Sequence, residues 1–577
     1  MGLSNGTRCI DRACTLHFTP LTQNSALTVT TTKGVVCGGD LNGGVAFLGI
    51  PFAQPPVGNL RWAAPREALP WEGILPCVRF GPACPQGHTP GTGNKAIPVP
   101  DEWVEKLKPE AKPPDALPLG MDEDCLQLNV YSPALEGKRP TMVWFHGGNL
   151  TGGASSGGVV FDPAARHGGN PCFLSQEHDL VIVTVTYRLN VFGFLNLDGG
   201  DANCGLLDAV AALSWVREEI SKFGGDPDNV TICGLSAGGH ISSQLLAMPA
   251  AAGLFHKAIC MSGSAQWSLG TQDDHNRRIA EPFAKRLGFA SLSEMTIEKA
   301  RQLPAETLRQ AYLRSRDFLE SGTLNTDGST VPRDPLDMML EGCAKDVTVL
   351  SGVTRDEGCF STALKRKSAC LDDVISDVKA HLQNACYIMD GDLDSLRDLN
   401  EDARREVAVN LVQDYQDLIS RYEKAPPEVQ AKCVNLCVEK CPEIANSSYE
   451  LAIKTLGDHD FMISHLMAVW ALSQHTKVYA YVFSEESIPG SRFAGHGADQ
   501  PFLFGTQGLP GESNPGAAHL SSLIMEAWAC FARTGDPSTE ALGEWPALRF
   551  PEAPDGYEAL PAAPSGMEHM NFEHTKT

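Results

Sequence analysis

Five residues, Gly234-Leu235-Ser236-Ala237-Gly238, form the first stretch of this chain whose types and spacing could do chemistry. A serine hydroxyl is a poor nucleophile until a neighbouring base takes its proton and an acid orients that base. The pattern G-x-S-x-G also occurs by chance, so its surroundings decide. Here "NVTICG" (229–234) reads as a strand running into Ser236, and "AGGHISSQLLAM" (237–248) reads as a helix leaving it. In a strand–turn–helix setting the nucleophile is held in a strained backbone conformation, and the glycines keep the tight turn clear of side chains. The first helical amides then point at the reacting centre and favour developing negative charge.

The partners of such a serine follow it in the chain, acid first and histidine second. "LSGVTRDEGCF" (350–360) offers Asp356 and Glu357 just past an apolar strand. "RFAGHGADQPFLFG" (492–505) offers His496 between glycines, just past the strand "KVYAYVF" (477–483). Loops at strand ends are where functional residues collect. His381, His459 and His465 fall in helical text and read as surface or core residues. Upstream, "WFHGGNLTGG" (144–153) follows a strand and fits an H-G-G-x oxyanion loop. The amides of Gly148, Asn149 and Ala237 are the expected donors to a tetrahedral oxyanion.

These residues need elements that hold them level with one another. Apolar, β-branched runs at 140–146, 179–187, 229–234, 257–263, 346–352 and 477–483 alternate with long helical stretches, such as 205–223. Strands that are apolar on both faces and alternate with helices predict an α/β fold with a mainly parallel sheet covered by helices on both sides. The Pro-, Gly- and Lys-rich segment 87–120 reads as a surface excursion. A mostly helical, charged region at about 363–470 reads as an insertion between two sheet strands. With no internal repeat and no structureless linker, residues 1–577 are expected to form one domain.

Bulk properties narrow the function classes. The 577 residues are 42% apolar and 20% charged, ordinary for a globular protein with a substantial core. A formal charge of −24 disfavours nucleic acid and anionic membrane surfaces as partners. The longest apolar run, 180–195, carries Arg188 and is too short to span a bilayer, so no membrane span is expected. Cys433, Cys437 and Cys441 line one face of a helical stretch, but nothing nearby completes a zinc pattern, so no metal is expected.

Longer blocks then carry a family likeness: "FLGIPFAQPPVGNLRW" (47–62), "DEDCLQLNVYSP" (122–133), "TYRLNVFGFL" (186–195), "NCGLLDAVAALSWVREEISKFGGDPDNVTICGLSAGG" (203–239), "GVTRDEGCF" (352–360) and "GHGADQPFLFG" (495–505). The chain resembles the type-B carboxylesterase, lipase and cholinesterase family of α/β hydrolases over nearly its whole length. The resemblance implies Ser236 as nucleophile, His496 as general base and acid, and Glu357 rather than Asp356 as the orienting acid. It also implies a disulfide between Cys84 and Cys125, no cofactor, and structural roles for Arg61 and Arg188. A carboxylate after the histidine falls on Asp499. Four departures stand out. Asn149 replaces the third glycine of the oxyanion loop, a second family disulfide is missing, Leu235 stands where cholinesterases carry Glu beside the nucleophile, and Trp103, in the long loop between Cys84 and Cys125, does not match the spacing of the family's choline-binding tryptophan. Leu235 makes it a substrate-pocket candidate and argues against choline esters.

The expected activity is hydrolysis of a small-molecule carboxylic ester, neutral or apolar, by a monomer or homodimer. Acyl transfer, or release and cyclisation of a biosynthetic intermediate, uses the same triad and is the alternative; a non-catalytic binding protein of the same fold is a remoter one. Asn149 heads an N-x-S/T sequon inside the oxyanion loop, where a glycan would block the site, and the first eighteen residues lack a leader-like apolar run. Both point to a cytoplasmic location, and an oxidised Cys84–Cys125 pair would point the other way.

Overall fold

Where the six apolar runs were expected, six parallel strands stand side by side in the computed structural model. It describes residues 27–41, 44–87, 120–155, 171–265, 269–270, 276–314, 324–357, 461–462, 464–485, 494–505, 515–548 and 571–572. In chain order the strands are β1 (Leu27–Thr30), β2 (Val35–Leu41), β3 (Gly44–Pro51), β4 (Ile74–Pro76), β5 (Gln127–Ser132), β6 (Arg139–Phe145), β7 (Val181–Val185), β8 (Gly225–Leu235), β9 (Lys257–Met261), β10 (Leu269–Gly270), β11 (Leu324–Asn325), β12 (Thr348–Thr354), β13 (Val478–Phe483) and β14 (Asn571–Phe572). The main sheet runs β1-β2-β3-β5-β7-β6-β8-β9-β12-β13-β14, with β4 beside β2. It is antiparallel from β1 to β7 and parallel from β7 to β14. This is the α/β-hydrolase architecture that the sequence suggested.

The alternation of side chains along each strand builds two cores. On β6, Val143 and Phe145 enter one apolar cluster, while Met142 and Trp144 enter the other. β7 divides in the same way, with Val181, Val183 and Val185 against Ile182. Helices α1 (Cys204–Glu219), α2 (Ala237–Ala247), α3 (Ala305–Arg314) and α4 (Ser464–Ser473) cover the first face, and α5 (Pro515–Thr534) covers the second. Apolar cover on both faces is why the strands read as continuous apolar runs rather than as alternating ones.

Both family-like arginines are buried and structural. Arg188, just after β7, donates from Nε and Nη2 to the Asp208 carboxylate of α1 at 2.8 and 2.7 Å, and its backbone N–H reaches the same carboxylate at 3.0 Å. Arg61 binds Glu123 through Nε and Nη2. The Arg188 pair fixes the segment 186–190 that lies under the oxyanion loop.

The expected Cys84–Cys125 disulfide is not formed. Both cysteines are free and buried. Their thiols hydrogen-bond instead, and that bond together with burial pushes the Cys125 thiol well above the usual range. The Leu189 N–H also donates to Cys84 Sγ at 3.3 Å. The pair is therefore a satisfied dithiol inside the core. Most of segments 87–120 and 363–470, with Trp103, His381, His459 and Cys433, Cys437 and Cys441, lies outside the described residues. His465 is described and is a core residue, 1% exposed at the start of α4. Among the described residues, no helix is long and apolar enough to cross a membrane.

Removing one partner of a buried ion pair strands the other charge in the core, which typically costs about 3–5 kcal/mol. Asp208→Asn is expected to lower stability by that order, read from urea unfolding. An unchanged midpoint would show that the pair does not hold this layer together.

Candidate active site

Ser236 sits at the tip of a turn between β8 and α2 with φ 57° and ψ −122°, a conformation L residues seldom adopt. Its amide donates to the Met261 carbonyl at 2.9 Å, and its carbonyl accepts from His240 N–H at 2.8 Å. The glycines are there for steric reasons. A Cβ on Gly238 would stand 1.9 Å from the Phe145 carbonyl oxygen, and one on Gly234 would stand 2.4 Å from Gly238 backbone atoms. Either substitution would push strand and helix apart.

The loop after β6 arrives level with this turn because Phe145 pairs in register with Gly234. A Cβ on Gly147 would lie 3.3 Å from Ser236 Cβ, so the loop passes directly over the serine. Gly148 and Asn149 both take positive φ, 119° and 57°. Asparagine tolerates the left-handed region better than most residues, which accounts for its fit in a position usually held by glycine. The Gly148 carbonyl is occupied by Thr151 and Gly152 N–H groups, each at 3.0 Å. Ala237 contributes the first amide of α2, which has no intrahelical acceptor. The three expected oxyanion donors therefore belong to two segments that meet at Ser236.

Glu357 and His496 follow the ends of β12 and β13, which are parallel neighbours. His496 Nδ1 lies 2.6 Å from Glu357 Oε2. A carboxylate only accepts here, so Nδ1 carries the proton and Nε2 is the unprotonated nitrogen of the neutral ring. Glu357 is 2% exposed, and its other oxygen accepts from Ser262 Oγ at 2.6 Å and Thr354 N–H at 2.7 Å. Asp356 has a different task. Its amide donates to the Ala494 carbonyl at 3.0 Å, and its carboxylate accepts the Ala494 N–H at 2.9 Å, stitching the histidine loop to the acid loop.

Leu235 is 6% exposed and belongs to the apolar cluster that also holds Met261 and Ala498. A Cβ on Gly497 would lie 3.2 Å from Leu235 Cδ2, so the residue after His496 packs on the residue before Ser236. Phe461 lies against the His496 ring, with centroids 4.5 Å apart, and stacks with His240 at 6.2 Å. Ser262, Phe461 and Tyr481 were not anticipated from the sequence. The only sequence signal was the small-residue run "SGS" after β9, which looks like any turn.

The carboxylesterase family model matches residues 25–574. The chain belongs to the carboxylesterase family. It is 32% identical over 536 residues to the para-nitrobenzyl esterase of Bacillus subtilis (strain 168), covering 90% of this chain and 92% of that one. It is 31% identical over 550 residues to carboxylesterase 3 of Homo sapiens, covering 90% and 84%. A solved para-nitrobenzyl esterase structure superposes with a TM-score of 0.66 at 31% identity, over 91% of this chain and 94% of that one. A Geobacillus stearothermophilus carboxylesterase structure gives 0.66 at 28% identity, over 90% and 94%.

This carboxylesterase carries a second buried carboxylate near the base. Asp499 is 1% exposed, accepts from Tyr481 Oη at 2.8 Å through Oδ2, and leaves Oδ1 without a hydrogen bond. Burial pushes its pKa up to about 6, with the Glu357 charge adding to the rise. A carboxyl whose pKa is higher in the folded than in the unfolded chain stabilises the fold at low pH, and that contribution is lost as pH rises through the folded pKa. Asp499→Asn removes the titration. The stability of the variant relative to the parent should therefore increase between pH 4 and about 7, measured by paired urea melts. A difference that stays flat over that window would show that Asp499 does not titrate there.

Proposed function

We propose that this carboxylesterase hydrolyses neutral or apolar carboxylic esters through Ser236, His496 and Glu357, with the oxyanion held by the amides of Gly148, Asn149 and Ala237. The observation that carries this reading is the His496 Nδ1–Glu357 Oε2 contact of 2.6 Å, made by a buried carboxylate whose other oxygen is already bonded twice. That arrangement fixes the imidazole tautomer and stabilises its charged form.

In the reaction, Ser236 Oγ forms a bond to the acyl carbon as its proton passes to His496 Nε2, and the carbonyl π pair moves onto oxygen. Collapse of the oxyanion breaks the carbon–alkoxide bond, and the alcohol leaves with the proton from Nε2. Water then adds to the acyl-enzyme with His496 as base, and a second collapse releases the acid and restores Ser236. The charge that develops on oxygen meets backbone dipoles that need no reorganisation, typically the largest single contribution in such a site. At Leu235 an apolar side chain stands where a carboxylate would attract a quaternary ammonium, and this supports uncharged alcohol groups.

Ser236→Ala should abolish both turnover of a simple aryl ester and labelling by a fluorophosphonate, read by initial rates and intact mass. Glu357→Gln should keep the fold and lower kcat on the order of 10⁴-fold, because the carboxylate no longer enforces the Nδ1–H tautomer. Full esterase activity in the Ser236 variant would remove the assignment. A product assay with an added alcohol acceptor distinguishes hydrolysis from acyl transfer.

A further inference from the structure

The oxyanion loop is held from outside the site by a side chain that touches neither nucleophile nor base. Gln86 is 2% exposed. Its Nε2 donates to the Gly153 carbonyl at 2.8 Å, and its Oε1 accepts the Gly153 N–H at 2.8 Å. One carboxamide thus closes both polar groups of a single loop residue, as a neighbouring strand would. The second Nε2 proton goes to the Cys84 carbonyl at 3.0 Å, so the buried amide is satisfied at both ends.

The clasp is anchored and it reaches the donors. The Gln86 carbonyl accepts Arg309 Nη1 from α3 at 3.0 Å, and Arg309 is itself fixed by Glu306 through Nε and Nη2 at 2.7 and 2.8 Å. On the loop side, Gly153 follows Gly152, whose amide donates to the Gly148 carbonyl at 3.0 Å. A Cβ on Gly148 would meet the Gly152 carbonyl oxygen at 2.1 Å, so the two ends of the turn are in contact. From the other flank, Asn190 Nδ2 donates to the Pro85 carbonyl at 2.9 Å and the Thr151 carbonyl at 3.3 Å, and Asn190 N–H donates to the Leu150 carbonyl at 2.7 Å. Residues 148–153 have little regular structure of their own, and the backbone at Gly148, Asn149 and Leu150 takes positive φ. External partners must therefore hold that backbone in place.

We propose that Gln86 is a positioning residue for the oxyanion hole: by clasping Gly153 it fixes the direction of the Gly148 and Asn149 amides over Ser236. The inference rests on the catalytic reading given above. Loosening the clasp lets those amides drift from the oxyanion while leaving the ground-state ester pocket in place. The loss therefore falls on transition-state stabilisation.

The test uses the full chain with Gln86→Met, close in shape but unable to make the paired bonds, and Gln86→Glu, which keeps the acceptor and replaces the Nε2 donor. Each protein is titrated with a fluorophosphonate to count reactive Ser236, and kcat is expressed per labelled site. An aryl ester gives kcat and KM. An aryl trifluoromethyl ketone, which forms an oxyanion on the serine, gives Ki. The expected result is a kcat about 10- to 100-fold lower, a KM within about threefold of the parent, and a Ki raised by a factor that matches the kcat loss. A merely structural role would lower the melting temperature and the labelled fraction and leave kcat per site and Ki alone, and that result overturns the proposal. If the parent enzyme turns over ester but is labelled at a residue other than Ser236, the catalytic reading itself fails, and the proposal with it.

Discussion

The turn at Ser236 is the constraint on which the rest of the site depends. Its backbone conformation costs of the order of 1–3 kcal/mol and persists only where the surroundings leave no alternative. Those surroundings are backbone rather than side chains. Gly238 lies against the Phe145 carbonyl, Gly239 against the Met261 carbonyl, and Gly263 against Gly239. Because β6 ends where β8 turns, the loop leaving β6 has to cross Ser236. One steric requirement therefore brings Gly148 and Asn149 to the serine, beside Ala237, the first residue of the helix that the turn begins.

The Glu357–His496 pair obeys a different rule, the satisfaction of polar groups away from water. Glu357 is buried. Its carboxylate is tolerated because Ser262, Thr354 and His496 supply three donors. The same bonds stop the carboxylate from rotating, and this gives the histidine one orientation. Parallel pairing of β12 with β13 carries the two loops out together, and the Asp356–Ala494 hydrogen bonds close them beyond the sheet.

The parts of this arrangement that were legible in the sequence share a physical cause. Strands covered on both faces leave unbroken apolar runs, so six of them could be read without a structure. The strand–turn–helix around Ser236 is local, so its five residues announce it. Ser236, Glu357 and His496 follow β8, β12 and β13 in chain order, the direction in which the sheet grows. What was not legible is contact between residues far apart in the chain. Ser262 meets Glu357 across 95 positions, and Gln86 meets Gly153 across 67. A serine in a small-residue run and a glutamine after a proline carry no periodicity that marks them. The Cys84–Cys125 disulfide was expected from resemblance alone. Burial and hydrogen bonding are equally compatible with two thiols at those positions, and two thiols are found there.

Residue type also left the choice among carboxylates open, because Asp356, Glu357 and Asp499 all lie close to the histidine loop. The number of donors each one meets separates them. Glu357 receives two hydrogen bonds on one oxygen and meets the imidazole of His496 with the other. Asp356 is engaged by Arg355 at 2.9 Å and by the Ala494 amide, so it serves as a stitch between loops. Asp499, three residues from His496, has the Tyr481 hydroxyl on one oxygen and none on the other, in a pocket dry enough to raise its pKa to about 6. Burial without a second donor disfavours the charged form of that carboxyl. Proximity along the chain therefore places Asp499 near His496, yet the imidazole Nδ1 meets Glu357, 139 residues away.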